Sequence, residues 1–324
     1  MKWHLLLCMV FLAGLCSCED YPTDPIDVED WDSSLGEFPG VARASGTSFV
    51  VGNKAYICLG RSEWKSGFLK DLWEYDPDSD KWTRKTDFPG QARVKAIAGV
   101  IGSKAYIGMG SIGAFELSNQ FCDFYEYDTQ TDTWTKKADF PGEARNDLFC
   151  AVVDGALYTT LGFTGIQRSV QTWKYDPTAD AWTQMTDAPH EASNAAGFAI
   201  GNCFYEGSGF RGSNLKFFYC FRPDIQKWIR KADLPDARML SNGLAINGKG
   251  YILLGRYWNG ALNGGRLLSD IVEYDPASNS WTKRGDFPGG ARQNAMVFSI
   301  GDKGYIVMGE DDAERKSDVW SFRP

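Results

Sequence analysis

One pattern recurs along nearly the whole chain and leaves few folds open to it. Tyr75-Asp76-Pro77, Trp82-Thr83 and Asp87-Phe88-Pro89-Gly90 return as Tyr127-Asp128, Trp134-Thr135 and Asp139-Phe140-Pro141-Gly142. They return again as Tyr175-Asp176-Pro177, Trp182-Thr183 and Asp187-Ala188-Pro189, more weakly as Phe221-Arg222-Pro223, Trp228 and Asp233-Leu234-Pro235, and then as Tyr274-Asp275-Pro276, Trp281-Thr282 and Asp286-Phe287-Pro288-Gly289. Behind each Pro an Arg slot is read at Arg43, Arg93, Arg145, Ser193, Arg238 and Arg292, about 50 residues apart. Within one unit the spacing predicts four short strands: Ala96 to Ile101, Ala105 to Met109, Phe124 to Tyr127 and Trp134 to Lys137, separated by Gly-, Asp- and Pro-rich turns. A period near 50 built from short strands is the signature of an all-β ring of sheets, a β-propeller.

The Gly closing strand two (Gly60, Gly110, Gly162, Gly255, Gly309), the Tyr-Asp and the strand-four Trp resemble the kelch repeat over residues 31 to 324. A single Gly stands where that family usually has two, and a Pro-Gly-x-Ala-Arg is added. The resemblance implies a six-bladed kelch-type propeller with four-stranded blades. The last repeat reaches only strand three at Asp318 to Pro324, so an N-terminal strand around Trp31 is expected to close that blade, making six strand-four Trp (Trp31, Trp82, Trp134, Trp182, Trp228, Trp281). One domain, 30-324, is expected.

Residues 1-18 read as a signal peptide: a Lys2 start and an apolar run from Leu5 to Leu15, too short to span a bilayer. Leu15-Cys16-Ser17-Cys18 resembles a lipobox with Cys18 as the lipidated residue, and Glu19-Asp20 resembles an acidic surface-export tag. Residues 19-29 read as a flexible tether. These features predict an outer-membrane lipoprotein, surface exposed, with a periplasm-facing orientation as the alternative. Cys58, Cys122, Cys150, Cys203 and Cys220 follow no disulfide or zinc spacing; only Cys203 and Cys220 are a pair to suspect of bridging. With 34 Lys and Arg against 42 Asp and Glu, net charge −8, a nucleic-acid surface is not expected.

Alternating strand direction puts the loops between strands two and three and the loops from strand four to the next strand one on one face. Side chains that recur in every repeat are assigned to the blade, and those that vary on this face to recognition. The ligand-binding candidates are Arg61, Trp64, Lys95, Asp147, Asn194, Arg211, Arg256, Tyr257, Trp258, Asn294 and Glu310, with Asn146, Gln293, Phe115 and Phe210 beside them. Aromatic faces stack on sugar rings while Asn, Asp and Arg meet hydroxyls, and the same set serves a protein hot spot. Asp71, Asp123, Asp270 and Asp318 begin strand three, with Gln171 and Phe217 in the other two repeats; each Asp is expected to pair with the next blade's Arg as an interblade latch.

Kelch proteins include a copper galactose oxidase, whose metal needs two His; after the signal only His190 remains, so that activity is excluded, and no catalytic residue, metal or cofactor is expected. The preferred reading is a non-enzymatic recognition propeller binding a glycan or protein partner, touching the membrane through its lipid alone. Bacterial six-bladed kelch proteins also include sialic acid mutarotases. In that alternative Arg61, Arg211 and Arg256 would bind a carboxylate and Glu310 or Asp147 would move the proton. An accessory subunit of a surface complex is the second alternative.

Overall fold

The computed structural model describes residues 30–63, 67–113, 119–260 and 264–324. The signal segment, Cys18, the tether, Trp64 and Phe115 lie outside the described residues. The long regular elements are strands, arranged as six antiparallel sheets each ordered one-two-three-four or, in the last, one-two-three. Blade 1 comprises Thr47–Val51, Lys54–Cys58, Leu72–Asp76 and Lys81–Lys85. Blade 2, expected from its repeat spacing, comprises Ile97–Ile101, Lys104–Gly108, Phe124–Asp128 and Thr133–Lys137, within a residue or two of the sequence reading. Blades 3 to 6 begin at Phe149–Val153, Ala196–Ile200, Asn242–Ile246 and Met296–Ile300. These strands one touch one another in a closed ring and line the central channel. Strand two is buried on both faces and strand four is largely exposed.

Aromatic side chains fill the wedges between blades. Tyr75 packs 4.8 Å from Trp82, and the same pair recurs as Tyr127–Trp134, Tyr175–Trp182 and Tyr274–Trp281. The Tyr-Asp turn has a second use. Tyr127 Oη donates to Asp132 Oδ1 at 2.7 Å, and that same oxygen accepts the backbone N–H of Thr86 in blade 1 at 3.0 Å. Trp134 Nε1 then donates to the carbonyl of Thr86 at 2.9 Å. Blade 3 holds Ala138 in the same two-handed way through Asp180 and Trp182, and blade 5 holds Ala232 through Asn279 and Trp281. The recurring Tyr, Asp or Asn and Trp thus join blades 1, 2, 3 and 5 to the blade before each, while blade 4 keeps the Trp bond, Trp228 Nε1 to Thr186 O.

That clasp corrects the expected latch. Arg43 is fully buried and binds Asp71 of its own blade, not the next, through two bonds of 2.6 and 2.7 Å, while its ring face-neighbour Phe38 lies 5.0 Å away. Arg93 with Asp123, Arg238 with Asp270 and Arg292 with Asp318 repeat it. Each guanidinium also donates to the carbonyl before the strand-two Gly, Leu59 in blade 1. A fixed Arg thus pins the loop that leads into a blade to the start of strand three within that blade, which cancels the cost of burying the charge. In blade 3 the partner is Gln171, whose oxygen accepts from Arg145 at 2.5 Å. With no carboxylate to offset its burial, Arg145 drops to about 10.

The slot in blade 4 is Ala192, not Ser193. Its carbonyl accepts from Gly162 N, as those of Arg93, Arg238 and Arg292 accept from the Gly of the preceding blade. The loop there is one residue shorter than in blades 2, 3 and 6, so counting from Asp187 with their spacing overshoots. Ala192 instead sits in a small apolar cluster with Leu161, Ala188 and Leu215, and Phe217 packs against it. Arg and Asp are lost together in this blade.

Ring closure occurs beside Trp31, as expected. Asp32 exchanges both backbone bonds with Ser321, at 2.9 and 3.0 Å, as a single bridge rather than a full strand. The Trp31 ring lies 5.0 Å from Phe322 and 5.2 Å from Phe287. The five cysteines of the propeller are free thiols.

Candidate functional site

Two residues beyond each blade's Arg slot the backbone turns into the left-handed region: Ser45, Lys95, Asp147, Asn194, Leu240 and Asn294, with φ between 55° and 58°. Only Asn and Asp accept this conformation readily. The others are held there by bonds that pass from blade to blade: Lys95 N to Ser45 O, Ser45 N to Asn294 O, Asn294 N to Leu240 O and Asn194 N to Asp147 O, at 3.0 to 3.2 Å. The result is a collar around the channel mouth. Four of its six members are sequence candidates; Ser45 and Leu240 were missed, although the constant offset from the Arg slot marks them.

Collar side chains line a depression of about 140 Å³, and below it the channel widens to about 220 Å³ between the strands one. Lys95 reaches across the opening. Its Nζ donates to Asn294 Oδ1 at 2.6 Å and Asn194 Oδ1 at 3.4 Å, and stands 3.3 Å from Asp147 Oδ1. These partners come from blades 6, 4 and 3.

A second ring surrounds the collar, made by the residue after each strand-two Gly: Arg61, Ser111, Phe163, Phe210, Arg256 and Glu310. Each pairs through its backbone with the residue after the Arg slot, for example Arg61 with Ala44 and Glu310 with Gln293. This confirms that the two loop sets share one face. The ring is polar on one side and aromatic on the other. On the polar side Glu310 is buried; it accepts from Asn294 at 2.8 Å and Gln293 at 3.2 Å, and lies 3.7 Å from Arg61 and 3.3 Å from Arg315. Burial outweighs the attraction of Glu310 and holds Arg61 below the ordinary arginine value. Arg256 is buried too, donating to Gln293 at 2.8 Å, to Gly264 O at 2.9 Å and to Asp312. On the aromatic side Trp258 lies edge-on to Phe210 at 5.3 Å, clamped through its backbone by Asn214. Tyr257 and Arg211 are exposed.

The candidates thus separate. Lys95, Asp147, Asn194 and Asn294 meet at the mouth, joined through Asn294 to Glu310 and Arg61. Arg256 sits beside them as a buried strut, where an open position was expected, because its donors are taken up by three acceptors. Arg211, Tyr257 and Trp258 lie outward on the loops of blades 4 and 5.

One buried polar pair was not foreseen. His190 Nε2 lies 3.1 Å from Glu206 Oε1, both buried, with the Tyr219 ring 5.1 Å from the imidazole. Glu206 occupies the strand-two position held by Ile57, Ile107, Thr159, Ile252 and Ile306 in the other blades. That break in the aliphatic pattern was the available signal.

Residues 45–255 match the family model described as the KLHDC2/KLHL20/DRC7 Kelch-repeats domain. The chain is similar to Kelch-like protein 35 of Mus musculus, 25% identical over 296 residues, covering 90% of this chain and 48% of that one. It is similar to the N-acetylneuraminate epimerase of Pasteurella multocida (strain Pm70), 32% identical over 116 residues, 35% of this chain and 30% of that one. It spans half or less of the length of these curated relatives. Among solved structures it superposes on the one titled "Structure of YjhT" with a TM-score of 0.73 over 90% of this chain and 95% of that one, at 19% identity, a likeness of fold. With the family match covering four blades and the clasp repeated around the ring, the chain belongs to the kelch-repeat family.

Proposed function

We propose that this propeller is a recognition module that binds a glycan or a protein partner at the channel-mouth face and carries out no chemistry of its own, held at the outer membrane by a lipid on Cys18. The observation that carries the reading is Lys95, whose ammonium is shared among oxygens of three blades across the polar channel mouth. Ordered donors and acceptors that already satisfy one another present a preset pattern to a polar ligand without a group poised for proton transfer. A glycan array with the tag-purified chain from Glu29 onward tests it. Binding is expected to weaken about tenfold in Lys95→Ala and Asn194→Ala. A blank array with folded protein redirects the test to a pull-down from outer membranes. Failure of both sinks recognition at this face. Replacing Cys18 with Ser is expected to move the protein from the membrane to the soluble fraction.

A second reading, a sugar isomerase, rests on the partial match to an N-acetylneuraminate epimerase, which covers 35% of this chain. Against it, the proposed proton carrier Glu310 is occupied by Arg61, Arg315, Gln293 and Asn294, and Arg256 is turned toward Asp312. Proton NMR of freshly dissolved N-acetylneuraminate decides: anomer exchange faster with the protein than without it would replace the binding reading.

A further inference from the structure

The loops between strands two and three are not alike in charge. Those of blades 3, 4 and 5, residues 163 to 170, 210 to 216 and 256 to 269, contain no Asp or Glu and five cations: Arg168, Arg211, Lys216, Arg256 and Arg266. The blade 6 loop, 310 to 317, contains four carboxylates. Arg256 is committed to Asp312, but among the described residues no carboxylate pairs with Arg168, Arg211 or Arg266. Elsewhere on the surface arginines are answered locally, as Arg84 is by Asp87, Arg222 by Asp224 and Arg230 by Asp233. Of the acids on the neighbouring four-to-one loops, Asp139 is held by Lys136, Asp147 by Lys95, Asp233 by Arg230 and Asp187 by Gln184, leaving Glu143, Glu191 and Asp236.

Two of these cations, Arg168 and Arg266, are laid on aromatic rings, and Arg211 is exposed beside them. The Arg168 guanidinium lies 5.5 Å from the Phe163 ring and 5.0 Å from Phe210; Phe210 meets Trp258, and Arg266 lies 6.0 Å from the ring of Tyr257. Stacking holds these two guanidinium planes in place, and Arg168 also donates through Nε to Ser193 Oγ at 3.3 Å. The strip crosses three blades outside the mouth. Exposed apolar side chains lie on it: Ile166, 73% exposed, and Tyr257, 40% exposed.

We propose that this strip docks an acidic polypeptide segment in which carboxylates alternate with apolar side chains. Unanswered arginines in a chain of net charge −8 call for an anionic partner. Exposed Ile166 selects among anions, because an aliphatic side chain is covered by another aliphatic side chain and not by a saccharide. The site is distinct from the mouth and stands or falls separately from it.

The test is fluorescence anisotropy of a fluorescein-labelled peptide of repeated Asp-Leu-Glu-Pro, beside the same peptide with Asn and Gln for the acids. Saturable binding of the acidic peptide alone is expected, weakened about tenfold by Arg211→Glu with Arg266→Glu and weakened by salt. Ile166→Ser should weaken it also, and Lys95→Ala should not. Both arginines are exposed, and near-UV circular dichroism confirms the fold; Arg266→Gln alone gives the same readout with less perturbation. No saturation by about 1 mM, equal binding of the amide peptide, or loss on Lys95→Ala overturns the proposal. Competition by polygalacturonate that ignores Ile166→Ser would assign the strip to anionic saccharides. Self-association abolished by the arginine variants would assign it to a second copy. Either result overturns it.

Discussion

Arg43 is fully buried, and its charge is tolerated because Asp71 answers it with two oxygens and Leu59 with a carbonyl. In Asp71→Ala that cation is left with neutral backbone carbonyls alone, those of Leu59 and Val41, with an expected cost of about 2–4 kcal/mol, since Asp71 itself is partly solvated. In Gln171→Ala, where the acceptor is neutral, about 1 kcal/mol is expected. Urea unfolding separates the two; equal costs would show that the carboxylate contributes nothing beyond an acceptor. His190 makes a pH-dependent contribution. Burial is the largest single influence and lowers its pKa, but the Glu206 hydrogen bond and charge, with the Glu191 backbone, together outweigh it and leave it above the ordinary 6.5. The folded state therefore binds the proton more tightly, and the stabilisation is complete below about pH 6.5 and lost as pH rises through the folded value. The unfolding free energy of wild type relative to His190→Gln is expected to shrink between about pH 6 and about pH 8; a constant difference would mean that folding leaves the proton affinity of the imidazole unchanged, and a growing one that the buried ring is neutral. Burial pushes the thiols of Cys150 and Cys220 up to about 12 and that of Cys58 higher still. A thiol reagent at neutral pH is expected to leave these three unmodified until the protein is unfolded.

Each strand and loop keeps its place through contacts the repeat enforces. Asp132 receives both Tyr127 of its own blade and the N–H of Thr86 next door, so Asp132→Ala removes an acceptor from two partners at once. A loss of about 1–3 kcal/mol is expected, seen as a lower urea midpoint with unchanged peptide or glycan binding. Inner strands show a tighter constraint. Gly243 in strand one of blade 5 lies against the backbone of Gly197 in blade 4, where an added Cβ would stand 2.2 Å from a carbonyl oxygen. Gly243→Ala is expected to cost about 3 kcal/mol or more, because neither backbone can move without opening the channel wall. The four-strand order and the Tyr-Asp and Trp positions were legible because each blade repeats them. Ser193 was misread because sequence spacing from Asp187 hides a one-residue shortening, which only the Gly162 to Ala192 bond exposes.

The whole ring depends on one short joint. Blades 1 to 5 are each continuous in sequence, whereas blade 6 is finished by Asp32 bridging Ser321 and by Trp31 packed on Phe287, Trp320 and Phe322. Trp31→Ala is expected to cost about 3–5 kcal/mol. Hydrogen exchange is expected to quicken first at Val319–Phe322, because strand three of that blade becomes an edge. Unchanged protection there would mean that the bridge alone closes the ring. At this scale the mouth face also acquires its polarity: buried carboxylate and arginine on blades 5, 6 and 1, aromatic rings with unanswered arginines on blades 3, 4 and 5.

Sequence by itself determined the six-fold ring, the number of strands per blade, the closing role of Trp31 and the face on which variable loops gather. These are local, periodic properties: an alternating strand, a tight turn and a recurring aromatic each declare themselves within a few residues, and repetition averages out the exceptions. The tertiary structure alone decided which side chains meet. Lys95 finds Asn294 across 199 positions of chain, and Arg43 takes the Asp of its own blade over that of its neighbour. Such choices follow from sheet twist and ring curvature, which set distances across the channel and between sheets, and no spacing along the chain encodes them.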